Sequence, residues 1–210
     1  MVIFLVRSLA IRNYTLRHML INDLRLSGLQ VLVCEFSDMT AVLASEKDTD
    51  QVIRVTRSRA FSENITIGMS MPILHSDQIP AACQQALFAL QSSPEAGIRR
   101  CRDLALDYLL HTLSDNKMTG YLLHPALLVL ESYDNENQSE LLPTLCRFAR
   151  DGFSQAETAK QLHIHLNTLK YRLKRICNLT GVTFHDQREN FYIQLSAALV
   201  QEYGEKIRDN

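Results

Sequence analysis

Residues 154–176 read Ser-Gln-Ala-Glu-Thr-Ala-Lys-Gln-Leu-His-Ile-His-Leu-Asn-Thr-Leu-Lys-Tyr-Arg-Leu-Lys-Arg-Ile, and this stretch decides the fold of the second half of the chain. Ser154 followed by Glu157 is a capping box: the hydroxyl accepts from the third helical N–H and the carboxylate reaches back. A short helix then runs to Leu162. His163-Ile164-His165 makes a tight turn, and a second helix is expected over residues 166–180, stopped by Gly181. Leu169, Leu173 and Ile176 stand at i, i+4 and i+7, so one face of that helix is buried. The opposite face centres on Asn167, Tyr171, Lys174 and Asn178, flanked by Thr168, Lys170 and Arg175. It carries amide, phenol, ammonium and guanidinium groups and no acid. Two helices joined by a tight turn, with a small Ala159 where they cross, make a helix-turn-helix.

The charge distribution supports that reading. The 210-residue chain has a formal net charge of −1, but residues 141–181 hold Arg147, Arg150, Lys160, Lys170, Arg172, Lys174 and Arg175 against only Asp151 and Glu157. A compact basic segment inside an otherwise acidic chain points to a polyanion. A helix of this width enters the major groove, where Lys and Arg reach phosphates or guanine edges and Asn makes a two-point contact to adenine. The first-helix N-terminus at Ser154 and Gln155 offers backbone N–H groups to a phosphate. His165 either caps the second helix or touches phosphate. Arg172 lies nearer the buried side than Arg175, which leaves it a salt-bridge or phosphate residue. The expected DNA-contacting set is Ser154, Gln155, His165, Leu166, Asn167, Thr168, Lys170, Tyr171, Arg172, Lys174 and Arg175.

Around this unit the sequence reads as helices. Apolar residues recur over 104–113 and 125–130, residues 134–138 (Asp-Asn-Glu-Asn-Gln) look like a polar loop, and Ser139 is the expected N-cap of a helix ending at Asp151-Gly152. Asp186 followed by Glu189 is a second capping pattern. It opens a last helix over 191–203, expected to close over the first helix of the motif.

The first half alternates differently. Strands are expected at 2–6, 29–35, 40–44, 65–70 and 98–102, and helices at 14–26, 48–61 and 80–90. That order implies an antiparallel or mixed sheet with helices on one face. The layout resembles the catalytic domain of diguanylate cyclases, whose Gly-Gly-Asp/Glu-Glu-Phe turn joins two hairpin strands. Here the corresponding turn is Glu35-Phe36-Ser37-Asp38-Met39, without the glycines and the paired acids that hold Mg²⁺, and the first strand ends in Arg7-Ser8 rather than an aspartate. The module is therefore read as degenerate, a dimerisation, spacer or sensor unit without nucleotide turnover.

The segment His165-x-Asn167-Thr168-Leu169-x-Tyr171-Arg172-Leu173-x-Arg175-Ile176, followed by Thr180-Gly181, resembles the C-terminal helix-turn-helix signature of the PucR-like regulators. Glu140-Leu141-Leu142-x-Thr144-Leu145, His124-Pro125-x-Leu127 and Tyr133-Asp134 match the same pattern upstream. Leu166 departs from it, standing where the family often has Arg, which implies an altered contact there. The resemblance implies a transcriptional regulator, often an activator, that binds a double-stranded operator as a homodimer or higher homo-oligomer and contacts RNA polymerase. It also implies a further N-terminal sensory domain in many members, for which this chain has no room.

The expected architecture is α+β: a degenerate GGDEF-like, nucleotide-cyclase-like α/β module (1–102), a helical connector (103–138) and an all-α helix-turn-helix domain (139–210). The alternative is a regulatory scaffold or ligand-sensing module whose helical domain binds protein rather than DNA. Five widely spaced cysteines with no C-x-x-C read as reduced thiols of a cytoplasmic protein. No apolar run approaches membrane-spanning length, and residues 2–6 lack the flanks of a signal peptide. No metal, cofactor or catalytic residue is expected. His163 and His165 form an H-x-H that, even with Cys146 or Cys177, makes no tetrahedral set at the usual spacing.

Overall fold

A computed structural model describes residues 1–209; of residues 59–63, 208 and 209 it describes the backbone alone. The chain divides into two compact units, with the boundary between Tyr108 and Leu109.

The first unit runs β1 (Val2–Ser8), α1 (Asn13–Leu26), β2 (Leu32–Phe36), β3 (Met39–Ala44), α2 (Thr49–Glu63), β4 (Ile65–Met69), α3 (Ile79–Gln91) and β5 (Gly97–Arg100). The sheet order is β2-β3-β1-β4-β5. β1 is antiparallel to both β3 and β4, whereas β5 lies parallel to β4, so the sheet is mixed. The hairpin between β2 and β3 closes on Ser37 and Asp38, with Phe36 paired to Met39 and Ser37 at φ +53°.

The expectation of helices on one face is corrected. Val2, Phe4 and Val6 of β1 share a core with Leu16, Leu20 and Leu24 of α1 and Val52 and Ile53 of α2. Ile3 and Leu5 share another with Ala82, Ala86 and Leu90 of α3. Residues 2–6 are apolar without alternation, and such a strand needs cover on both sides. α3 lies so close to β4 that a Cβ at Gly68 would stand 2.0 Å from the Ala86 carbonyl oxygen. Glycine is the residue that permits this approach.

In the second unit, α5 (Pro125–Asn137), α6 (Leu141–Arg150), α7 (Gln155–Gln161), α8 (Leu166–Thr180) and α9 (Gln187–Asp209) surround one core. A further helix, α4 (Ala105–Ser114), crosses the boundary between the units. Leu130, Leu145, Leu169, Ile176 and Ile193 are fully buried in the helical core. Phe148, Phe153 and Phe184 cluster there with ring centroids 5.2–5.8 Å apart.

Three local expectations change. Residues 134–137 are the last turn of α5 rather than a loop, and Gln138 ends it at φ +52°. Ser139 is not the cap of α6. Asp134 takes that role from the preceding helix, its carboxylate accepting from Leu141 N (3.0 Å) and Leu142 N (2.7 Å) while Ser139 Oγ donates to it. Finally, α9 packs on α6 rather than on α7, with Gln194 Nε2 donating to the Ala149 carbonyl at 3.1 Å. α9 starts earlier than expected, at Gln187, because Asp186 Oδ1 accepts from Arg188 N and Glu189 N, and its helical geometry breaks at Tyr203 (φ −135°), the residue expected to end it.

Candidate nucleic-acid interface

α7 starts at the Ser154 cap, whose hydroxyl accepts from Glu157 N at 3.4 Å. The second half of the expected box does not form: Glu157 Oε1 instead accepts from Gln161 Nε2 at 2.7 Å. One turn on the helix surface is a short reach for that pair. Thr158 and Ala159 face the core. The chain reverses at His163, which takes the left-handed φ of +53°, and Ile164 N closes the turn on the Ala159 carbonyl. His165 then caps α8, its Nδ1 accepting from Asn167 N at 3.2 Å. At the other end Gly181, at φ +76°, donates to the Cys177 carbonyl. A single αL glycine is the common way to end a helix.

Leu169, Leu173 and Ile176 are buried as the spacing requires. That orientation turns Asn167, Thr168, Lys170, Tyr171, Lys174, Arg175 and Asn178 outward, and all are exposed. Tyr171 is 72% exposed, so the phenol is a surface group and not a core one. Ser154, Gln155, His165 and Leu166 are exposed as well.

The cations of the basic segment divide into held and free. Arg172 does not project with the others: Nη1 donates to Thr144 Oγ1 (3.1 Å) and Nη2 to Glu140 Oε2 (2.8 Å), tying α8 to the start of α6. Arg147 is paired with Asp151 one turn later, through Nε at 3.0 and 3.1 Å. Arg175 leans onto Tyr133 of α5, with its guanidinium carbon 5.2 Å from the ring centroid and Nη2 donating to the phenol oxygen at 2.9 Å. That hydrogen bond favours the charged guanidinium and pushes its pKa up. Arg150, Lys160, Lys170 and Lys174 are exposed and in no ion pair among the described residues. Lys160 and Arg150 were outside the expected contact set; their surface position follows from the burial of Thr158, Ala159 and Ala149 beside them. Tyr133 and Glu140 belong to the upstream pattern, yet their partners stand 42 and 32 residues away, beyond any helical periodicity.

Burial pushes the Cys146 thiol up to about 11 against the opposing pull of Arg150, and a protonated thiol is a poor nucleophile. Among the described residues no group of three or more His, Cys, Asp or Glu gathers as a metal site.

Residues 141–199 match the PucR C-terminal helix-turn-helix domain. These residues form a PucR-type helix-turn-helix domain. The chain is also similar to three curated proteins, among others. The DNA-binding transcriptional activator AdeR of Bacillus subtilis is 32% identical over 97 residues, which are 46% of this chain and 23% of AdeR. The proline-responsive transcriptional activator PutR of the same species is 34% identical over 76 residues, 36% of this chain and 18% of PutR. The carbohydrate diacid regulator of Escherichia coli is 36% identical over 107 residues, 50% of this chain and 27% of that protein. The chain thus covers at most 27% of the length of these relatives. Among the described residues no helix is long and apolar enough to cross a membrane.

Proposed function

We propose that the chain is a sequence-specific DNA-binding transcriptional regulator that inserts α8 into the major groove. The observation that carries this reading is the acid-free outer face of α8, held outward by the burial of Leu169, Leu173 and Ile176. Asn167 and Tyr171 are the base readers in this proposal, with Thr168 beside them. Lys170 and Lys174 contact phosphates, joined by Lys160. Arg175 reaches the backbone only by leaving Tyr133, and Arg172 positions α8 without touching DNA. Ser154, Gln155, His165 and Leu166 line the approach to the groove.

The regulator acts as a homodimer or higher homo-oligomer on a double-stranded operator, and as an activator it contacts RNA polymerase. Similarity to AdeR and PutR, both transcriptional activators, supports that direction. The first unit is proposed to be a degenerate cyclase-like fold. Its element order and two-residue hairpin support this; over residues 35–39 the glycines and adjacent acids of the cyclase turn are missing, and Glu35 is paired with Arg17. No nucleotide turnover is assigned to it.

The test is selection of bound sequences from random DNA by the full chain, followed by anisotropy titration of the selected duplex across salt. The expected result is one recurrent sequence, bound with an affinity that falls linearly with log salt. Binding that is absent, or equal for selected and scrambled duplexes, overturns the reading. Asn167→Ala is expected to relax base preference at one position by about 1–3 kcal/mol.

A further inference from the structure

β5 is the parallel edge strand of the first unit. Its Ile98 and Arg100 are two residues apart and project from one face. Their register partners, Ile67 and Met69, belong to the core beneath α1 and α2, which places both on that side of the sheet. α2 sets Ile53 and Arg57 one turn apart above the same region. Between α2 and β5 opens a cleft of about 380 Å³, floored by Ile53, Ile65, Ile67 and Ile98 and bearing Arg57 and Arg100. Ala96 and Gly97 complete the lining, Gly97 at a φ of +149° that favours glycine.

Both guanidiniums are exposed, and neither makes an ion pair or hydrogen bond among the described residues. Two like charges over one apolar floor repel each other, and an anion between them removes that repulsion while gaining charge-assisted hydrogen bonds. The isoleucine floor takes apolar surface out of water. A cleft with an apolar lining and a few convergent polar groups is the ordinary form of a small-molecule site, and this volume lies at the small end of their range.

We propose that this cleft binds a small organic anion, its carboxylate or phosphate head between Arg57 and Arg100 and its apolar body on the isoleucine floor. The site is in the first unit and does not depend on the DNA-binding reading.

The experiment titrates the ¹⁵N-labelled full chain with octanoate, with octyl phosphate and with octanol, following the amide signals of Gly97, Ile98 and Arg100. At least one anion is expected to shift them saturably, while octanol leaves them in place; which anion does so separates a carboxylate from a phosphate ligand. The double variant Arg57→Gln/Arg100→Gln, altered only at exposed positions, is expected to keep the remaining spectrum and bind the anion at least tenfold more weakly. The proposal is overturned if neither anion moves these signals, if octanol moves them equally, or if the double variant binds as tightly as the parent.

Discussion

Arg175 of α8 rests on the ring of Tyr133 in α5 and donates to its phenol oxygen at 2.9 Å. A cation that could face the groove is thereby parked on its own domain. Removing the phenol oxygen should release it. Tyr133→Phe is expected to steepen the dependence of DNA affinity on salt by about one in the log–log slope, as one more phosphate contact forms. An unchanged slope would mean that Arg175 never reaches the duplex.

Arg172 should behave in the opposite way. Glu140 is mostly exposed, so Glu140→Gln is expected to cost no more than about 1 kcal/mol. Arg172→Ala also strips the hydrogen bond to the buried Thr144 hydroxyl and is expected to cost about 1–2 kcal/mol. Urea denaturation reads the stabilities. In both variants the salt slope of DNA binding should stay at its parent value, because neither side chain lies on the outward face of α8.

The cap of α8 offers a separation of stability from binding. His165→Ala loses the acceptor for Asn167 N and is expected to cost about 1 kcal/mol. His165→Asp supplies another acceptor and should restore the stability, yet it sets a negative charge at the approach to the phosphates and should weaken DNA binding. Thermal melting and anisotropy on the same two variants check this.

His124 gives the helical unit a pH dependence. It is buried, its Nδ1 accepts from Ala126 N, and burial lowers its pKa from 6.5, with Glu189 opposing more weakly. The unfolded chain therefore takes up the proton first as pH falls. Stability from this group is complete above about pH 6.5 and declines below it, down to the depressed folded-state pKa. Urea midpoints at pH 7.5 and 5.5 should differ for the parent, and the difference should shrink in His124→Asn, which keeps an acceptor and does not titrate.

Gly68→Ala is expected to cost at least about 3 kcal/mol, since the new methyl would meet the backbone of α3 and no side-chain rotation can relieve it. Chemical denaturation followed at first-unit amides would register the loss.

The helix-turn-helix was legible because its signals are local. The caps at Ser154, His165 and Gly181 and the stripe Leu169, Leu173, Ile176 are each contained within about two helical turns of sequence. The first unit's element order was legible for the same reason. What escaped the sequence was decided across distance. Residues 134–138 have loop composition, yet Asp134 is ordered by the N–H groups of α6 that it receives. An unbroken apolar strand such as residues 2–6 does not declare whether one or two of its faces are covered. The wheel sets Arg172 nearer the buried side than Arg175, but their partners, Glu140 and Thr144 for one and Tyr133 for the other, lie too far along the chain to be read from it.

The separate cores of the two units have a consequence for how the chain fails. The Leu16–Phe4 and Ala86–Leu5 layers share no buried residue with the Leu145–Leu169 core. Heating should therefore give two calorimetric transitions instead of one, and damage such as Gly68→Ala should move only one of them. A lesion in the strand-bearing half would then leave the other half folded, and the DNA binding proposed for it would outlast the damage.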